Sequence, residues 1–109
     1  EVDETLQDAV TATSGSGPAY FFAFVESMVK GAVDLGLSEE VATQLTVQTI
    51  IGAAELLATS GKNATTLREN VTSPNGTTYA ALQSFAASDL DKIVANAMKA
   101  ARDRSIELS

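Results

Sequence analysis

The 109-residue chain contains no cysteine and no histidine. Without them there are no thiolate nucleophiles, no disulfides, no zinc sites with sulfur or imidazole ligands, and no Ser-His-Asp arrangement, so no metal site is expected. Basic residues are also few. Seven stand against fourteen acidic ones, for a net charge of -7, and they are scattered rather than gathered into a footprint for a phosphate backbone. Nucleic acid is therefore not an expected partner. Apolar residues make up 45% of the chain, but Glu26, Lys30, Asp34 and Glu55 interrupt the longest stretches, which predicts a soluble protein with no membrane anchor. No leader pattern is visible at Glu1, and the expected compartment is the cytoplasm. Asn63, Asn70 and Asn75 each open an Asn-x-Thr triplet. These would be glycan acceptors in a secreted protein, but the missing cysteines lend that compartment no support, and the triplets read as coincidence.

What is present is helical patterning. The length suits one hydrophobic core, too short for a cofactor domain and a substrate domain together, so residues 1–109 read as one domain. From Pro18 to Leu35 apolar residues (Phe21, Phe22, Phe24, Val25, Met28, Val29) fall on nearly every face, which predicts a helix buried on most sides and closed by Gly36. A second long helix is predicted over Glu39 to Thr59, capped by Ser38, with Gly61 beyond its end and the first helix as its antiparallel partner. Gly31 and Gly52 fall inside these helices, at a cost of roughly 1 kcal/mol each relative to Ala, and predict a close helix crossing. Shorter helices are predicted over Thr66 to Val71, Thr77 to Ala87 and Asp89 to Glu107. Ser88 is the expected cap of the last, and Lys99, Arg102 and Arg104 lie toward its negative end. The weakest ordering is expected at residues 1–5, around Gly61 to Ala64, and at the C-terminus. No strand pattern survives. A hairpin at Asn75-Gly76 would need alternating β-formers on both sides, and the flanks favour helix.

Two segments could carry chemistry. Val71-Thr72-Ser73-Pro74-Asn75-Gly76-Thr77-Thr78 is a proline-stiffened turn that delivers small hydroxyl residues and free amides to a helix start. Ser73, Thr77 and Thr78 would offer hydroxyls to a carboxylate, and Gly76 would let it approach the backbone. A plain cap and turn is the commoner role of such residues. Thr11 to Tyr20 is a small-residue loop opening the central helix. It matches neither GxGxxG after a strand nor a P-loop, so capping and close packing are the simpler readings. Glu26 and Glu55 stand in apolar stretches, where pairing with Arg68 or Arg104, or exposure, is commoner than catalysis.

SGSGPAY opening a long helix, QTIIGAAELL in the next, and LRENVTSPNGTTYAAL before a final helix ending AARDRSIEL closely resemble, in that order and spacing, the C-terminal domain of pyrroline-5-carboxylate reductases. The resemblance covers essentially the whole chain, and VTSPNGTT is its most specific part. One departure is visible: the family commonly has Gly-Gly where this chain has Asn75-Gly76. Asn is the non-glycine residue most tolerant of a left-handed conformation, so the loop shape is expected to persist.

The resemblance implies an all-α helical bundle of the 6-phosphogluconate dehydrogenase C-terminal-domain-like type, with two long central helices and several shorter ones. It implies a homodimer or a higher oligomer, whose shared active site also needs an N-terminal Rossmann domain, outside this chain, to bind most of NADPH or NADH. By itself the chain is expected to be inactive. Carried over by motif position, Ser73, Gly76, Thr77 and Thr78 would hold the carboxylate of L-pyrroline-5-carboxylate. Thr78 would also act catalytically near the ring nitrogen, and Thr11 and Ser14 would lie toward the nicotinamide. The implied reaction is reduction to L-proline by hydride transfer to the C=N carbon, which demands no strong acid from a chain without His or Cys. Two other readings stand beside it. One is a purely structural dimerisation module. The other is the helical domain of a hydroxy-acid dehydrogenase, which would depend on a Lys in a motif that neither Lys30 nor Lys62 occupies.

Overall fold

The computed structural model describes residues 6–109, so the ordering expected for residues 1–5 lies outside it. All regular structure among the described residues is helical: α1 (Gln7–Val10), a π-helical turn (Thr11–Gly15), α2 (Gly17–Asp34), α3 (Glu39–Thr59), α4 (Ala64–Asn70), α5 (Thr77–Ala87) and α6 (Leu90–Leu108). The chain divides into two compact units, residues 24–83 and the two flanking segments 1–23 and 84–109.

In the unit formed by residues 24–83, local chemistry sets the helix ends. The helix α2 enters this unit from the flanking segment, where Pro18 in its first turn is compatible with the missing N–H there. At the other end of that helix Gly36 takes φ 112. Its amide donates to Val33 O at 2.9 Å and the Leu37 amide to Ala32 O at 3.1 Å, the paired bonds of a Schellman closure. Ser38 caps α3 by accepting from the Val41 amide at 3.2 Å, with Glu39 and Glu40 in the first turn where the helix dipole favours them. α3 covers the predicted span, and Gly61 beyond it takes φ 77. Asn63 accepts from the Thr66 amide at 2.8 Å and starts α4 two residues before Thr66, the predicted start. An Asn side-chain cap thus defines a segment that spacing alone marked as weakly ordered.

The expected antiparallel pair does not form. The helix that packs on α3 is α4, not α2. Gly31 and Gly52 likewise have nothing within 4 Å of where a Cβ would stand, so the close crossing they predict is not made within this chain. Ala42 is fully buried and Thr46 nearly so, one turn apart on α3. Most other apolar side chains of α3 are bare, with Leu45 at 55% and Ile51 at 53% exposure. α2 is open as well, with Met28 40% and Val33 41% exposed, against the expectation of a helix buried on most sides. Despite Glu55, α3 is by length and composition able to cross a membrane, with mean hydropathy 1.3.

The other unit gathers α1, the π-helical turn, the start of α2 and α6. The expected loop from Thr11 to Tyr20 is instead helical on both sides of Ser16, whose amide bonds Thr11 O at 2.8 Å, five residues back. α6 packs on both α1 and this turn. Ser105 Oγ donates to Asp8 Oδ1 at 2.6 Å across that contact, and Ala12 is buried beneath it. The Ser88 cap expected for α6 does not form. Asp89 occupies the cap position in a left-handed conformation, φ 59, with no side-chain bond. Lys99, Arg102 and Arg104 reach Asp103 and Glu107 on their own helix rather than the terminal carbonyls. Exposed pairs of this kind contribute little, up to about 1 kcal/mol.

Candidate substrate-binding site

The segment between α4 and α5 is shaped from both sides. As α4 ends, the Thr72 hydroxyl donates to Arg68 O and the Thr72 amide to Glu69 O at 3.1 Å, satisfying carbonyls the helix leaves open. The chain then turns at once, with Gly76 N donating to Ser73 O at 3.1 Å. Pro74 holds the second position of this turn, and Asn75 at the third has φ 59. Proline followed by a left-handed residue is the type II arrangement, and the expected tolerance of Asn75 is realised. A Cβ on Gly76 would stand 3.4 Å from both Cβ and O of Ser73, so any side chain there would crowd the Ser73 side of the turn.

Gly76 O accepts the first bond of α5, from the Ala80 amide at 3.0 Å. The amides of Thr77, Thr78 and Tyr79 therefore have no carbonyl one turn behind them, and Gly76 has no side chain to cap them. α3 and α4 answer the same deficit with Ser38 and Asn63. Ser73 and Thr77 are exposed and Gly76 and Thr78 half-buried. Four of the predicted site residues thus converge on an open helix start with no side-chain cap among the described residues, where amides, hydroxyls and helix dipole all favour an anion. Tyr79 Oη accepts from Gln83 Nε2 at 2.7 Å, stiffening the same first turns.

Thr11 and Ser14 lie in the other unit, together in the π-helical turn. Thr11 lines a recess of about 350 Å³ with Ser16, Arg104 and Ser105. Ser14 donates its hydroxyl to Val10 O at 3.1 Å, which leaves its oxygen free to accept only. Glu26 and Glu55 are exposed, and Arg104 pairs with Glu107 at 2.8 Å rather than with either of them. No group of three or more acidic side chains that could hold a metal occurs among the described residues.

Residues 4–108 match the family described as pyrroline-5-carboxylate reductase dimerisation. The chain belongs to that family. A pyrroline-5-carboxylate reductase of Pseudomonas aeruginosa is 50% identical over 107 residues, covering 98% of this chain and 39% of the relative. The solved pyrroline-5-carboxylate reductase of Coxiella burnetii superposes with a TM-score of 0.95 at 38% identity, over 100% of this chain and 40% of that one. That of Plasmodium falciparum, solved with NADP bound, gives 0.91 at 38% identity, over 96% and 42%. The chain thus spans about two-fifths of the length of the relatives it matches.

Within this dimerisation family member, periodicity and turn chemistry located the Ser73 to Thr78 turn. They did not reveal α1, the π-helical turn, or the bond from Tyr20 to Ala12 that braces it. A run of small residues before Pro18 signals a break in a helix but not which hydrogen-bond spacing precedes it.

Proposed function

We propose that this chain is the dimerisation and substrate-binding domain of an enzyme that reduces L-pyrroline-5-carboxylate to L-proline in proline biosynthesis, using NADPH or NADH held mainly by a separate Rossmann domain. The observation that carries this reading is the uncapped start of α5 behind the Ser73-Pro74-Asn75-Gly76 turn, in a chain whose α3 and α4 are capped by their own side chains. The substrate carboxylate would take the place of the missing cap, accepting from the first-turn amides of α5 and from the hydroxyls of Ser73, Thr77 and Thr78. Gly76 leaves room for it. The Thr78 hydroxyl, near the ring nitrogen, would hydrogen-bond the imine and make its carbon more electrophilic. The bound nicotinamide supplies the hydride; this chain supplies position and fixed dipoles. Thr11, exposed at the edge of its recess, and Ser14, an acceptor, offer neutral polar contacts suited to the nicotinamide end.

The same reading makes the chain a homodimer. Bare apolar side chains of α3, among them Leu45, Ile51, Leu56 and Leu57, are material for such an interface. A second copy, rather than lipid, suits the bare faces of α2 and α3, because Gln44, Gln48 and Glu55 lie along α3. In this reading the enzyme is soluble and works in the cytoplasm.

The test is Thr78→Ala in the full-length protein. Loss of a hydrogen bond to a charged or developing charge should lower kcat/KM for pyrroline-5-carboxylate roughly 10- to 100-fold. Unchanged turnover would remove the assignment and favour a dimerisation module whose turn is only a helix start.

A further inference from the structure

The segment that opens α2 contains one large polar side chain that the proposed function leaves unused. Tyr20 is half-buried and donates its hydroxyl to the carbonyl of Ala12, eight residues back in the π-helical turn. A π turn has one residue more than an α turn, is rare, and needs support from outside its own ladder. Pro18 withholds such support, because it has no N–H with which to continue the ladder back into the turn. The Ala19 amide instead bonds Ser16 O at 3.1 Å. One side-chain brace crosses the break, from Tyr20 of α2, and a second, Ser105 of α6, holds Asp8 just ahead of the turn at 2.6 Å. Thr11 and Ser14 both ride on this turn, Thr11 at the edge of the recess that Ser105 also lines.

We propose that Tyr20 is a positioning residue: its hydroxyl holds Ala12 in the π-helical arrangement and thereby fixes the directions in which Thr11 and Ser14 meet the nicotinamide. The inference rests on the reading of those two residues given above. Without the hydroxyl the Ala12 carbonyl loses its brace, the turn can relax toward α-helical spacing, and Thr11 and Ser14 rotate relative to one another about the helix axis.

The experiment is Tyr20→Phe in the full-length protein, which keeps the ring and removes only the donor. The KM for NAD(P)H should rise roughly three- to tenfold, the effect of one hydrogen bond, while the KM for pyrroline-5-carboxylate changes less than about twofold. Ser105→Ala, which frees Asp8, should move the cofactor KM in the same direction by a smaller factor. A merely structural role would shrink the active fraction, lowering kcat with both KM values intact, and that result overturns the proposal. Should Tyr20→Phe fold too poorly to assay, Ser105→Ala decides alone, and an unchanged cofactor KM overturns it. Thr78→Ala in parallel separates the two levels. If it weakens the pyrroline reaction while Tyr20→Phe leaves the cofactor KM alone, only this inference falls. If Thr78→Ala has no effect, the reading beneath it falls as well.

Discussion

Ser105 reaches Asp8 across 97 residues and Tyr20 reaches Ala12 across eight in the unit formed by the two flanking segments. In residues 24–83 the side-chain bonds of Ser38, Thr49, Thr59, Asn63 and Thr72 reach no further than four residues. The first unit holds an irregular turn in place by tertiary contacts of its own. The second satisfies its helices locally and leaves two kinds of group unmet: the apolar side chains of α3, and the first amides of α5. The difference fits the proposed reading, in which a second copy would cover the exposed apolar face and a carboxylate would meet the helix start.

The most disruptive way to break this comparison is Ile51→Asp. A charge placed in a second copy's interface must be buried unpaired or force the copies apart, so dimer affinity should fall at least about a hundredfold. Sedimentation of the isolated chain at micromolar concentration reads this directly. A chain that is monomeric before the substitution, or still dimeric after it, removes α3 from the interface.

Helix starts sharpen the comparison at smaller scale. Ser38→Ala and Asn63→Ala should each lower stability by about 1 kcal/mol in chemical denaturation, because each removes an observed cap. Ser88→Ala should cost only a few tenths, since Asp89 rather than Ser88 occupies the cap position of α6. Equal losses at all three would show that the α6 start is capped after all.

The smallest effect belongs to Asp103. The hydrogen bond from Arg102 is the main cause holding its carboxyl below the usual carboxylate range, with Lys99 adding attraction and partial desolvation opposing. A lowered folded pKa contributes stability that is present above the unfolded pKa, about 4, and is lost as pH falls below it through the folded one. Asp103→Asn should remove a slight part of the acid dependence of the melting temperature and leave the neutral value almost unmoved. A large change at neutral pH would mean that the exposed Arg102–Asp103 pair is more than a surface contact.

Much of this was legible in residue order. The span of α3 between Ser38 and Gly61, the span of α5, the end of α2 at Gly36 and the left-handed Asn75 all follow from groups within a few residues of where they act. The Ser73 to Thr78 turn was legible for the same reason, since its proline, its hydroxyls and the helix start are contiguous. Ser88 misled because a cap depends on backbone angles as well as side-chain type, and the left-handed Asp89 moved the cap position one residue on. Thr11 to Gly15 misled because small residues suit a loop and a braced helical turn equally.

The sequence by itself determined an all-helical chain, most helix boundaries, and a proline-stiffened polar turn at a helix start, because capping, periodicity and turn preference are short-range forces. Only the tertiary structure decided that α4 rather than α2 packs on α3, that Gly31 and Gly52 meet nothing within the chain, and that Tyr20 and Ser105 hold a π-helical turn. Each of those depends on which surfaces meet, and apolar faces attract without direction, so a stripe of Leu and Ile marks that a partner is needed without marking which one.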